Sequence, residues 1–143
     1  RAVAVLAVAA LGAVKMWRGA TFAGLFPALA TALVLAMILF NKVGSPQYLS
    51  WVIAPLVLGL VLDRRRWWWP AVLSLVTAML TQIVYPLTYD GLILAQPFPA
   101  AVVTLRNVLI AVLFAWMVVR VARTATHSGR AIRPRSPAVS ASR

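Results

Sequence analysis

The sequence predicts an all-α fold, a polytopic integral membrane helix bundle with about five transmembrane helices, and three observations lead there. The 143 residues are 63% hydrophobic and only 11% charged, against about half and about a quarter in soluble domains. A soluble fold of this length buries only about 70% of the surface its unfolded chain exposes, so the apolar excess must face lipid. The charges fall between long uncharged stretches, and such stretches span a hydrocarbon core of about 30 Å when they reach roughly 20 residues. The chain has no Cys, one His and two acids, which excludes a disulfide framework and a thiolate metal site and leaves too few ligands for a dedicated metal centre.

The first apolar stretch, Ala2 to Val14, carries no charge but is short. It reads as the remnant of a longer helix leaving the membrane at Lys15 and Arg18; a signal peptide is the competing reading, because Ala7, Val8 and Ala9 have the small-x-small form of a cleavage site. Ala20 to Phe40 is the clearest span, and Pro27 is placed to kink it. Leu49 to Leu62 is worth about 21 Å of helix, so either the bilayer thins or the polar stretch from Asn41 to Tyr48 dips below the headgroups. Ala71 to Leu87 follows Pro70, a residue suited to a helix start, and Pro86 suits its end. Ala100 to Val119 holds Arg106 and Asn107 and is no plain anchor. The membrane region therefore occupies residues 1–123, with helices near 2–14, 20–40, 49–62, 71–87 and 100–119. Residues 124–143 turn to Ser, Pro, Ala and Arg and read as a disordered basic cytoplasmic tail.

Connections decide orientation through their basic residues. Lys15, Arg18, Arg64, Arg65, Arg66, Arg120 and Arg123 fall on one side and Lys42 alone on the other, so the first side is cytoplasmic, and the reading is a multi-pass plasma-membrane protein with its C-terminus in the cytoplasm. Trp17, Trp67, Trp68, Trp69 and Trp116 fall at the same boundary, as an aromatic belt does. The net charge of +12 is then a topology signal, and no nucleic-acid partner is needed.

Two polar features stand out on the other side. Asn41 to Trp51 sets a cation, amides, hydroxyls and a phenol between two apolar helices. Gly44 and Pro46 give it tight backbone geometry, and Lys42 beside hydroxyl and amide donors suits a phosphate. A turn with snorkelling Lys and Tyr explains the same residues. Arg106 costs roughly 2.5 to 3.5 kcal/mol at a helix centre, and such residues are functional candidates by default; an Arg that snorkels or caps carbonyls is the plainer alternative. Topology sends both features to one leaflet. Asn107 is expected to bond between helices. Asp63 sits among arginines and reads as a local ion pair. Asp90 reads as a turn residue in Asp-Gly before it reads as a base.

The run Asn41-Lys42-Val43-Gly44-Ser45-Pro46-Gln47-Tyr48, continuing through Leu49 and Ser50 to Trp51, resembles a segment late in polyprenyl-phosphate-dependent integral membrane glycosyltransferases. These are GT-C superfamily enzymes of glycosyltransferase family 87, mannosyltransferases of bacterial envelope glycolipids among them. Arg106-Asn107 is a weaker point of similarity, and the resemblance covers roughly residues 20 to 120. It implies the C-terminal part of a larger fold whose catalytic Asp lies in an early external loop with no counterpart in this chain. It further implies a sugar, mannose in particular, moved from a polyprenyl phosphate to a glycolipid or glycan acceptor at the outer membrane face. Lys42 and Arg106 would bind the donor phosphate, while Asn41, Ser45, Gln47, Tyr48 and Trp51 would orient substrate; no metal and no cofactor is expected. A lipid or solute transporter and a non-catalytic structural subunit are the alternative classes.

Overall fold

A computed structural model describes residues 2–41, 46–87, 94 and 96–126. These fold into five α-helices: α1 (Ala2–Trp17), α2 (Phe22–Leu39), α3 (Ile53–Leu62), α4 (Arg64–Gln82) and α5 (Pro97–Arg123). A 3₁₀ helix, Pro46–Val52, leads into α3, and a π turn, Ile83–Leu87, closes α4. Among the described residues there is no strand, only an isolated bridge between Ala20 and Thr126.

The core forms where small residues let helices approach. α2 presents Ala28, Ala32 and Ala36 with Leu25 and Leu35, all buried, to Ile110, Leu113, Met117 and Val121 of α5. Association in lipid rests on such close packing, because burying Leu against Leu gains little over burying it against acyl chains. α2 also packs on α1 and α3, and α4 bridges α3 and α5. Outside this core the surface is apolar: Leu6, Met16, Leu75, Met79 and Val112 are all exposed. Three helices, α2, α4 extended to Tyr85, and α5, are long and apolar enough to cross a membrane. This is the profile of a helical membrane protein.

Local chemistry explains where the helices begin and end. At the close of α1 the Ala20 N–H donates to the Lys15 carbonyl (3.1 Å) and the Gly19 N–H to the Met16 carbonyl (2.9 Å), with Gly19 at φ 78°. This is a Schellman cap, which needs a residue at ease with positive φ. A Gly19→Ala substitution is expected to lower stability by about 1–2 kcal/mol, the cost of a left-handed conformation for a side-chain-bearing residue, measured by thermal unfolding in detergent.

α4 begins at Arg64, not near Ala71 as the sequence suggested, because Asp63 caps it: its Oδ1 accepts from the Arg66 N–H at 3.2 Å. Pro70 consequently lies inside the helix, where it has no N–H for the Arg66 carbonyl. Arg120 of α5 fills that vacancy, its Nη2 donating to the Arg66 carbonyl at 2.9 Å. The short third segment gains reach from tighter winding. The seven-residue 3₁₀ helix extends its start, yet the segment stays among the shorter apolar helices, below the three long enough to cross a membrane.

The cations of the first side share one end of the bundle. Lys15 Nζ donates to the Thr124 carbonyl at 3.2 Å, and the Arg120 guanidinium lies 4.6 Å from the Trp67 ring centroid. Trp17 is 95% exposed, whereas Trp67 is only 5% exposed, so Trp67 serves the core and leaves the belt to its neighbours Trp68 and Trp69. Thr124 to Thr126, grouped with the tail by composition, are tied to the α1–α2 connection. The remainder of the tail lies outside the described residues.

Candidate functional site

α4 and α5 run antiparallel and are joined by two polar links. At the basic end Arg120 meets Arg66; toward the other end Arg106 meets Thr81, its Nε donating to Thr81 Oγ1 at 2.9 Å. The links are about 22 Å apart along α4 and about 21 Å along α5, which is the agreement expected of two closely packed straight helices. With Arg120 at one hydrocarbon boundary, Arg106 lies about 9 Å inside the other.

Arg106 is 5% exposed. Its Nη1 donates to Asn107 Oδ1 at 3.3 Å, and its Nη2 is buried with no hydrogen-bond partner among the described residues. Asn107 thus serves its sequence neighbour rather than another helix. Thr81 is prepared as an acceptor: its own hydroxyl donates to the Thr77 carbonyl at 2.8 Å, and Thr77 in turn donates to the Leu73 carbonyl at 2.8 Å. With its proton committed inside α4, Thr81 Oγ1 offers Arg106 only lone pairs. Asp63 is the one acid among the described residues and belongs to the basic end, so no described carboxylate balances Arg106.

Thr81 also forms part of a groove of about 540 Å³ between the 3₁₀ helix, α3 and α4. Its long walls are apolar, with Leu56, Val57, Leu60, Leu75 and Ala78, and it follows α4 from Ala71 to Gln82, a length of about 16 Å. Gln47, Ser50 and Gln82 supply polar groups, and Ser74 Oγ is buried in the wall without a partner. An apolar groove with polar groups gathered toward one end has the chemistry of an amphiphile site.

The residues singled out on sequence fare differently. Gln47 lines the groove that Thr81 also lines, whereas Arg106 is bonded to Thr81 without lining the groove itself. Asn41 is half-buried at the end of α2, its N–H on the Ile38 carbonyl at 3.3 Å. Tyr48 packs against the core and its ring lies 5.2 Å from that of Trp51, tilted by 57°. The Gln47 carbonyl accepts from Ser50 Oγ at 2.5 Å, which stiffens the 3₁₀ turn. Lys42, Ser45 and Asp90 lie outside the described residues. Sequence reasoning passed over Thr77, Thr81 and Ser74, although their three- and four-residue spacing in an apolar span marks one polar stripe of a helix.

No family model, curated protein or solved structure matches the chain.

Proposed function

We propose that the chain is the C-terminal membrane portion of a glycosyltransferase that uses a polyprenyl-phosphate sugar. In this reading mannose is transferred to an envelope glycolipid or glycan at the outer face of the plasma membrane, and the basic end of the bundle is cytoplasmic by the positive-inside rule. The observation that carries it is Arg106: a buried guanidinium with one nitrogen unsatisfied, bonded to the threonine that walls an apolar groove. An isoprenoid chain suits the groove, and the guanidinium bonded to its wall residue Thr81 would set a positive charge near the phosphate.

In the reaction the acceptor hydroxyl oxygen forms a bond to the anomeric carbon as the bond from that carbon to the phosphate oxygen breaks. The hydroxyl proton passes to a carboxylate, which the resemblance places upstream of this chain. The departing polyprenyl phosphate gains negative charge, and a cation fixed in a low-dielectric site stabilises that charge more in the transition state than in the ground state. Arg106 fills this role, with Lys42 as its partner from the loop after α2. Gln47, Tyr48, Trp51, Asn41 and Ser45 orient the donor.

In the full-length protein, Arg106→Gln and Lys42→Gln are each expected to lower transfer from a polyprenyl-phosphate mannose donor by about 10²-fold or more, the usual cost of one oxyanion-stabilising donor, with membrane insertion intact. Unchanged transfer by both variants overturns the reading. Proteoliposome uptake of the donor without covalent product would move the chain to the transporters.

A further inference from the structure

A polar cavity lies at the basic end of the bundle, far from Arg106. It is about 490 Å³ and lies among the start of α2, the start of α4 and the end of α5. These belong to the three helices long enough to cross a membrane, so the cavity opens at the level where those helices leave the hydrocarbon.

Three cations line it, Arg66, Arg120 and Arg123, against one acid, Asp63. Asp63 already accepts from the Arg66 backbone N–H as the cap of α4. Arg120 is held firmly, by the Arg66 carbonyl on Nη2 and by the Trp67 face, yet its Nη1 is buried without a partner. Arg66 and Arg123 are exposed. Threonines 21 and 124 add hydroxyls, while Ala28, Val119 and Trp116 make an apolar floor.

We infer that this cavity binds the phosphodiester headgroup of an anionic phospholipid, with Arg120 as the fixed contact and Arg66 and Arg123 closing over the phosphate. One guanidinium held in place and flanked by two exposed ones matches the several acceptor oxygens of a phosphate. The apolar floor distinguishes a lipid from free phosphate, because it continues the contact to the glycerol and upper acyl region. Basic pockets between membrane helices at this depth recognise such headgroups. The site is independent of the one proposed around Arg106.

Native mass spectrometry of the detergent-purified protein tests the inference. Phosphatidylglycerol is expected to remain bound where phosphatidylcholine is lost. The Arg66→Gln/Arg123→Gln pair is expected to weaken phosphatidylglycerol binding about thirtyfold, from roughly 1 kcal/mol per contact. An Arg133→Gln/Arg135→Gln pair, with the same change in net charge, leaves it unaltered. Gly24→Leu changes no charge but points a side chain toward Thr21 and Thr124, since a Cβ there would lie 3.1 Å from Thr21 Oγ1, and it is expected to weaken the same binding by obstruction. No preference for phosphatidylglycerol, or equal loss from the tail pair, overturns the site. Displacement of the lipid by millimolar inorganic phosphate overturns the lipid assignment in favour of the free ion.

Discussion

Replacing Arg106 by Met is expected to raise the stability of the bundle by about 2–3 kcal/mol, while abolishing capture of a polyprenyl phosphate. The gain follows from what the guanidinium gives up in the folded protein. It is buried, it has one nitrogen unsatisfied, and no described carboxylate faces it. A charge in that position costs roughly 2.5 to 3.5 kcal/mol on insertion scales, and replacing buried ionic groups with well-packed apolar ones is often stabilising by about 1–4 kcal/mol. Thr81→Val should do the opposite, because it removes the acceptor and leaves Nε buried alone, at a cost of about 1–3 kcal/mol. Thermal unfolding in detergent measures both. Added polyprenyl phosphate is expected to raise the midpoint of the wild type and not that of Arg106→Met, since only a ligand that binds the native state stabilises it. Loss of stability in Arg106→Met would show that the guanidinium is an ordinary packing element.

Gly59→Ala is expected to destabilise the protein by up to about 3 kcal/mol, a large loss for one methyl group. Gly59 is buried in α3, and a Cβ built there would run into the indole of Trp67. The indole cannot swing aside cheaply: it is buried, and Arg120 lies against its ring. The methyl group must therefore push α3 from α4, which also loosens the Arg120 link to the Arg66 carbonyl. Trp67→Leu should absorb much of the penalty, so Gly59→Ala measured in that background should be nearly neutral. A double-mutant cycle by thermal unfolding checks the coupling; equal costs in both backgrounds would mean that the indole is not what Gly59 makes room for.

Much of the architecture was legible because lipid is a simple solvent. Uncharged runs had to be helices, and all five predicted segments are helical. The boundaries of α4 were not legible, since they depend on the Asp63 cap and on Arg120 supplying a donor to the carbonyl that Pro70 leaves open. The 3₁₀ winding of Pro46–Val52 likewise lengthens a segment that counting residues made too short. Arg106 was legible at the candidate site, because an intramembrane charge is conspicuous in any sequence. Thr81 was not, because a membrane Thr usually bonds its own helix, and it does so here as well.

The sequence by itself determined the solvent, the helical class, the gathering of cations at one end and the presence of an expensive arginine in the last helix, since each follows from composition and linear order. Only the tertiary structure decided that this arginine meets Thr81, that Thr81 walls a groove, that Trp67 turns inward onto Gly59, and that a basic cavity opens among three helix ends. Those facts depend on which residues from distant segments come within a few ångströms of one another, and close packing between helices sets those meetings at a range that no local pattern encodes.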